Sequence, residues 1–202
     1  MKLYFSPGAC SLSPHIALLE AGLEFTTEQV DLGKKLTASG ADFRAINPKG
    51  YVPALQLNDG TVLTEGPVIV QYIADLAPAS KLVPALGTIE RYQVLAWLNF
   101  ISTELHKNFG PLFNPAASED MKTAARTSLA NRFGHAARQL AGHDYLVGDQ
   151  FSAADGYLFT VTNWAAHVKF DLSDWPELGA HQARVAARPA VQRALRDEGL
   201  LK

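Results

Sequence analysis

The first part of the chain alternates between short apolar runs and amphipathic stretches. Residues 3–5 form an apolar run that ends at turn residues, which predicts a short buried strand. Apolar side chains at three- and four-residue spacing then predict a helix over residues 14–22, with Ser13 as its N-cap. A helix start one turn earlier, at Cys10 or Ser11, is the alternative. In either case a strand passes directly into a helix.

A second strand is predicted over residues 25–32. Strand, helix and strand within about 30 residues are typical of a parallel βαβ unit. Residues 33–40 follow as a polar loop, and Ser39 stands where it can cap a short helix that runs through Ala45.

Val52-Pro53 opens a third strand, because proline in a sheet is confined to strand starts and edges. This X-Pro bond is a candidate for the cis form, which would turn the Val52 backbone outward to pair with an extended ligand. An Asp-Gly pair at 59–60, between two alternating runs, predicts a hairpin. Residues 64–67 open a further helix, so residues 1–77 are predicted to have the order β-α-β-α-β-β-α.

Only helical patterns follow this α/β unit. Residues 78–87 contain two prolines and a glycine and are the predicted domain linker. Residues 88–202 are predicted to form an all-helical domain. Its helices are expected to begin at Thr88, at Ser118, at a capping box over 151–155, at Trp175-Pro176 and at Arg188-Pro189.

Composition narrows the class of protein. The 202 residues are 48% hydrophobic and 19% charged, which indicates a globular protein with a real core. A net charge of −2 gives no electrostatic basis for binding nucleic acid or an anionic membrane, and no apolar run approaches the roughly 20 residues that span a bilayer. With one cysteine and no signal-peptide pattern, we expect no internal disulfide and a cytoplasmic location.

The single cysteine, Cys10, stands where the first strand passes into the first helix. The partial positive charge at a helix N-terminus favours thiolate over thiol, which makes Cys10 a candidate reactive group. In the run Cys10-Ser11-Leu12-Ser13, serine occupies the position of the second cysteine of a redox dithiol, so a disulfide at Cys10 must form with an external thiol. A buried, inert thiol is the alternative, and Tyr4 and Ser11 are rival hydroxyl groups.

A polar stripe follows the long helix that begins at Thr88. Asn99, Thr103 and His106 lie at i, i+4 and i+7 among apolar positions and therefore share one helix face. Polar side chains on a buried face need partners, and a ligand-binding cleft offers them. A histidine with a pKa near 6.5 can change protonation near neutral pH. A packing or surface histidine is the alternative.

These runs of residues together resemble the cytosolic glutathione transferases over essentially the whole chain. The Val-Pro turn, the acid Glu65 before a helix and the box at 151–155 are shared across that superfamily. Cys10, the Asn-Pro-Lys-Gly-Tyr-Val-Pro run at 47–53 and the Thr-Glu-Leu-His-Lys run at 103–107 are typical of its bacterial beta class. The resemblance implies an α/β thioredoxin-like N-terminal domain and an all-α helical-bundle C-terminal domain.

The resemblance also implies a glutathione site in the first domain. Cys10 would lie against the glutathione sulfur and could form a mixed disulfide with it. Lys35 would meet the glycyl carboxylate, although Lys34 is an equally basic neighbour. The Val52 main chain would pair with the cysteinyl backbone.

The γ-glutamyl end of glutathione would be held by Glu65 and the following backbone N–H. That next residue is usually serine in the family, whereas this chain has Gly66. The loss of one hydrogen bond, at roughly 0.5–1.5 kcal/mol, predicts either weaker glutathione binding or a site open to another ligand.

The second domain would supply the other wall of the site. The resemblance places His106 near the sulfur with Lys107 beside it, where either could stabilise a thiolate or polarise an electrophile. Asn99 and Thr103 would share this wall. Glu104 lies on another face of the helix than the stripe. The resemblance implies that it contacts a ligand only across a dimer interface.

The implied activity is the conjugation of glutathione, as cosubstrate, to apolar electrophiles by a homodimer, with thiol–disulfide exchange through Cys10 as a further activity. The Phe-Gly-Pro-Leu-Phe run at 109–113 predicts an apolar edge for the electrophile, and Trp164 is expected in the core. The histidines show no metal-ligand spacing, so no metal is expected. The alternatives are a glutathione-dependent thiol reductase and a non-enzymatic binding protein of the same fold.

Overall fold

The computed structural model describes residues 1–201, which form two compact units. One unit comprises Met1–Val83 and the C-terminal segment from Arg188, and the other comprises Pro84–Ala187. The sequence pattern assigned all of 88–202 to the helical domain, whereas the segment from Arg188 groups here with the first unit.

The first unit is built on a mixed sheet. Its strands lie in the order β3-β2-β1-β4-β5, with β1 parallel to β2 and the other neighbours antiparallel. They are β1 (Lys2–Phe5), β2 (Thr26–Asp31), β3 (Leu36–Thr37), β4 (Ala54–Gln56) and β5 (Val62–Thr64). The hairpin β4–β5 and the parallel β1–α1–β2 unit were predicted, whereas β3 falls in the stretch predicted as a loop.

The helices of the described chain follow in sequence order. They are α1 (Leu12–Glu20), α2 (Phe43–Ile46), α3 (Gly66–Leu76), α4 (Ile89–Phe100), α5 (Gly110–Phe113), α6 (Glu119–Leu140), α7 (Ala153–His167), α8 (Pro176–Ala186) and α9 (Pro189–Asp197). Between α4 and α5 the chain continues as a π-helical turn (Ile101–Leu105) and a 3₁₀ turn (His106–Phe109). A 3₁₀ turn (Pro78–Ser80) lies in the predicted linker.

Two helix starts differ from the preferred predictions. Helix α1 begins at Leu12, which is two residues before the preferred start at Pro14 and one residue after Ser11 of the alternative. The buried Ser11 does not cap it; its hydroxyl accepts from the Ser6 N–H at 3.1 Å and donates to the Ser6 carbonyl at 3.3 Å. Helix α2 is capped by Asp42, which accepts from the Arg44 N–H at 2.9 Å, and not by the predicted Ser39.

Strand β1 packs on both faces, because successive side chains point to opposite sides of a sheet. Tyr4 faces Phe43 of α2, with ring centroids 5.7 Å apart, and its hydroxyl donates to Gln56 at 3.1 Å. Phe5 faces His15 of α1. Tyr4 is therefore a core residue, as its position in the strand predicted.

The C-terminal segment belongs to the first unit because α9 packs on α1. Arg188 donates two hydrogen bonds to the Glu20 carboxylate, at 2.6 and 2.8 Å. Beyond α9, the buried Glu198 lies 2.9 Å from Nδ1 of His15. These contacts join residues far apart in sequence, which no local pattern reveals.

The second unit is organised around α7, which is buried along most of its length and packs against α4 and α8. The predicted capping box is present: Asp155 accepts from the Ser152 N–H at 2.8 Å and from its hydroxyl at 2.7 Å. The same carboxylate accepts from the Leu146 N–H and lies 3.1 Å from Nε2 of His181. Within residues 1–201 no helix combines the length and the apolar character that crossing a bilayer requires.

Candidate functional site

The predicted nucleophile, Cys10, lies in the loop between β1 and α1 and is partly exposed. Its Sγ lies 3.3 Å from the carbonyl oxygen of Val52, which accepts the S–H hydrogen bond. Two residues that the sequence analysis assigned to one site therefore do lie together. The contact needs the thiol proton, so a thiolate at Cys10 requires the sulfur to leave this carbonyl.

Val52 owes its position to the turn before β4. The Val52-Pro53 bond is cis, as predicted. The Val52 side chain is buried in a cluster with Tyr4, Phe43 and Ala54, which fixes the backbone beside Cys10. The Val52 carbonyl is not free in this structure, since it already accepts from Cys10. A carbonyl oxygen has two lone pairs, so a ligand can share this acceptor or replace the thiol.

The two neighbouring lysines, Lys34 and Lys35, differ in exposure. Lys34 is 77% exposed and lies 3.7 Å from Asp31, and its position in the loop turns it to solvent. Lys35 is half-buried and has a φ of 60°, and its side chain passes close to Gly50, in the loop before Val52. The choice of Lys35 over Lys34 as a ligand contact stays a prediction.

Glu65 has a φ of 69°, in the left-handed region that only glycine adopts easily. Such strain persists where the surroundings fix the backbone, and it is common at binding sites. The Glu65 carboxylate accepts from the Lys49 ammonium and, at 3.2 Å, from the Tyr51 hydroxyl. The hydrogen bond to Glu65 raises the pKa of Lys49. A ligand ammonium group at Glu65 would therefore share this carboxylate with Lys49 and Tyr51.

Gly66 is the first residue of α3, and Pro67 follows it. The N–H groups of the first helical turn have no acceptor within the helix and carry its partial positive charge. The predicted backbone donor is therefore present at Gly66, next to the Glu65 carboxylate, and an anionic group of a ligand is the natural acceptor for it.

In the second unit, the predicted polar stripe does not lie on a buried face. Asn99 and Thr103 are exposed, and the Thr103 hydroxyl donates to the Asn99 carbonyl at 3.1 Å. The buried side of this segment is formed by other residues: Val94, Leu98, Ile101 and Leu105. The prediction assumed a regular helix, whereas the π-helical turn changes the number of residues per turn just before His106.

His106 is half-buried, unlike the exposed Asn99 and Thr103, and α7 holds its ring. Its Nδ1 lies 2.7 Å from the hydroxyl oxygen of Tyr157, and its ring meets the edge of Trp164 at a centroid distance of 4.8 Å. Trp164 is 6% exposed, which agrees with its predicted place in the core. It also contacts Phe109 and Phe113 of the predicted apolar edge, where Phe113 is 49% exposed.

The remaining predicted residues of this segment have separate surroundings. The Glu104 carboxylate lies 3.0 Å from a guanidinium nitrogen of Arg132, on α6. Lys107 is exposed in the 3₁₀ turn. Glu104 therefore pairs with a residue of its own unit. Its contact with a ligand across a dimer interface stays a prediction.

Sequence reasoning missed the side chains that hold the predicted ones in place. Lys49 and Tyr51 lie just before Val52 in the run at 47–53. Both side chains contact Glu65, and no local sequence feature indicates these contacts. Tyr157 follows the capping box by two residues, and its contact with His106 spans 51 positions. A cavity of about 990 Å³ in the first unit, lined in part by His15, contains none of the predicted glutathione-binding residues.

Family models match most of the chain. The N-terminal domain of glutathione S-transferase matches residues 8–76, and the C-terminal domain of glutathione S-transferase matches residues 100–189. The first match covers Cys10, Val52 and Glu65, and the second covers the segment that carries His106.

Individual relatives give the same family. The chain is 48% identical to "Glutathione S-transferase GstA" of Escherichia coli O157:H7, over 99% of this chain and 100% of that protein. The structure of BphK, a bacterial GST in a ternary complex, is 63% identical with a TM-score of 0.98, over 99% of this chain and 100% of that one. The beta-class glutathione S-transferase of Sphingomonas chungbukensis is 48% identical with a TM-score of 0.96, over 100% of both chains. The chain therefore belongs to the glutathione S-transferase family, in its bacterial beta class.

Proposed function

We propose that this protein conjugates glutathione to apolar electrophiles and uses Cys10 at the glutathione site. The observation that carries the proposal is the contact between Cys10 Sγ and the Val52 carbonyl, at 3.3 Å, in a chain of this family. It brings the predicted reactive sulfur to the backbone group that is predicted to hold the tripeptide. The left-handed backbone at Glu65 adds support from a second predicted contact.

In the proposed reaction the glutathione thiolate attacks an electrophilic carbon. A C–S bond forms, the leaving group departs with the bonding electron pair, and the thiol proton passes to solvent. Lys35 would bind the glycyl carboxylate, Val52 the cysteinyl backbone, and Glu65 with the Gly66 N–H the γ-glutamyl end. The exposed Phe113 beside Trp164 supports an apolar electrophile.

The roles proposed for the second unit rest on the resemblance. His106 and Lys107 would stabilise anionic sulfur or polarise the electrophile, and Asn99, Thr103 and Glu104 would assist in binding. The half-buried imidazole of His106, fixed by Tyr157, supports the first of these roles.

We also propose a homodimer in the cytoplasm. Large apolar side chains are exposed on α3 at Val68 and Leu76, and on α4 at Ile89 and Tyr92. Exposed apolar side chains of this size, repeated along two helices, support burial against a second copy.

Thiol–disulfide exchange is a second candidate activity. The Cys10 thiolate would attack a glutathione disulfide, form a mixed disulfide and release one glutathione thiolate. The partial exposure of Cys10, together with the absence of a second cysteine from the sequence, favours such an adduct because no internal thiol can resolve it.

One set of measurements tests both activities. Mass spectrometry after incubation with oxidised glutathione should show one tripeptide on the wild type and none on Cys10→Ala. Conjugation with a generic aryl halide should fall by about tenfold to a hundredfold in Cys10→Ala. The variant removes the S–H that would donate to the glutathione thiolate, and a hydrogen bond to a charged group contributes about 1.5–3 kcal/mol.

Cys10→Ser is the matched control, since its hydroxyl can still donate to the Val52 carbonyl while it cannot form the disulfide. A wild type that neither forms the adduct nor binds glutathione would overturn the proposal. An adduct without conjugation would support the reductase alternative, and binding with neither chemistry would support the binding-protein alternative.

A further inference from the structure

The imidazole of His106 is oriented by two aromatic side chains of α7. Its Nδ1 lies 2.7 Å from the Tyr157 hydroxyl oxygen, and its ring meets Trp164 edge-on with an interplanar angle of 74°. Tyr157 is 4% exposed and Trp164 is 6% exposed, so packing fixes both rings. The two residues are about two helical turns apart on α7 and so share one face. The ring of His106 is thus held from outside its own helix.

We propose that Tyr157 is a positioning residue that keeps Nε2 of His106 a hydrogen-bond donor. The phenolic hydroxyl donates to Nδ1, because delocalisation into the aromatic ring makes a phenolic oxygen a weaker acceptor than an imidazole nitrogen. When Nδ1 accepts, the neutral ring carries its proton on Nε2. In the imidazolium both nitrogens carry protons, so Nε2 donates in that state as well.

A donor at Nε2 allows some of the roles proposed for His106 and excludes another. This inference rests on the proposed function, in which His106 takes part in the reaction. A donor at Nε2 can stabilise anionic sulfur or polarise an electrophile. It cannot take the proton from the glutathione thiol, because Nε2 already carries one. Tyr157 acts only through His106 and does not contact the reacting atoms.

Tyr157→Phe removes the hydroxyl and keeps the ring. Long-range ¹H–¹⁵N correlation spectra of the full-length protein report which imidazole nitrogen carries the proton, and the spectrum of His106→Ala assigns the His106 signals. We expect an Nε2–H tautomer in the wild type and a mixture of tautomers in Tyr157→Phe. Tyr145→Phe is the matched control, because Tyr145 lies in the same unit and contacts Phe151 and His181.

Kinetics give the second measurement. With glutathione and an aryl halide, kcat/KM should fall about threefold to tenfold in Tyr157→Phe, the range for one hydrogen bond. It should not fall in Tyr145→Phe, and Tyr157→Phe should have no further effect in a His106→Ala background.

An Nδ1–H tautomer in the wild type, or an unchanged His106 spectrum in Tyr157→Phe, would overturn the inference even if the variant loses activity through altered packing. Equal activity of His106→Ala and wild type would instead overturn the proposed role of His106. The two failures are therefore distinguishable.

Discussion

Gly66 is the residue at which the predicted glutathione site departs from the family pattern, and its surroundings are open. A Cβ added to Gly66 would meet the side chain of Pro53 at 3.8 Å, which is an ordinary van der Waals contact. Gly66 begins α3, so its backbone is one that any residue can adopt. A serine therefore fits here without movement of its neighbours.

We predict that Gly66→Ser tightens glutathione binding by about twofold to tenfold, because the added hydroxyl supplies one hydrogen bond to the γ-glutamyl carboxylate. Isothermal titration with glutathione measures the change in Kd. Gly66→Ala is the control: it also restricts the unfolded chain but brings no hydroxyl. Equal affinities of the serine and alanine variants would show that the hydroxyl contributes nothing to binding.

At the scale of elements, the pairing of β1 with β2 brings Lys2 and Glu28 together as an ion pair, and this contact changes the pKa of Glu28. The Lys2 ammonium donates to Glu28 at 2.8 Å, and Ser39 also donates to this carboxylate. The hydrogen bond from Lys2, followed by that from Ser39, lowers the pKa of Glu28 from 4.5 to about 2. The folded state therefore favours the ionised carboxylate.

Because this pKa is lowered, the stabilisation is fully present above pH 4.5 and is lost as the pH falls towards 2. We predict that Glu28→Gln lowers the free energy of unfolding at pH 6, measured by urea titration, by about 1 kcal/mol. The loss is no larger because solvent screens the partly exposed Lys2. The difference should shrink between pH 4 and pH 3. Glu24→Gln, an exposed position before the same strand, should change little; a constant difference for Glu28→Gln across this range would contradict the prediction.

The sequence predicts those elements that are determined by residues close together in the chain. The hairpin at Asp59-Gly60 and the capping box at Asp155 follow from turn and cap chemistry within a few residues, and both are present. Strand β3, by contrast, exists because Thr37 and Leu36 pair with β2. The π-helical turn before His106 likewise has no local marker, and it interrupts the regular helix that the predicted stripe assumed.

The candidate site divides in the same way. Cys10 and Val52 are each marked by a local feature, a helix-start cysteine and a Val-Pro turn, but only the resemblance to the family assigned them to one site; the structure places them in contact. The groups that hold the predicted side chains, Tyr51 for Glu65 and Tyr157 for His106, come from elsewhere in the chain. Neither has a spacing that points to its partner.

At the scale of the whole molecule, the far end of the chain supports the loop that carries Cys10. The side chain of Glu198 is fully buried, and one of its oxygens lies 2.9 Å from Nδ1 of the buried His15. The other accepts from the Gly8 N–H at 2.9 Å, two residues before Cys10. Gly8 has a φ of 69°, so the loop depends on both its glycine and this acceptor.

We predict that Glu198→Ala lowers the free energy of unfolding by about 2–6 kcal/mol, because the buried His15 and the Gly8 N–H each lose a hydrogen bond to this carboxylate, at about 1–3 kcal/mol each. Denaturant unfolding measures this loss, and the rate at which a thiol reagent modifies Cys10 should rise as the loop loosens. Asp197→Asn is the control, because the Asp197 carboxylate is 43% exposed and lies 3.9 Å from His15. The free energy of unfolding of this variant should stay within about 0.5 kcal/mol of the wild type. If both variants unfold alike while the Cys10 reactivity is unchanged, the C-terminal segment does not support the site.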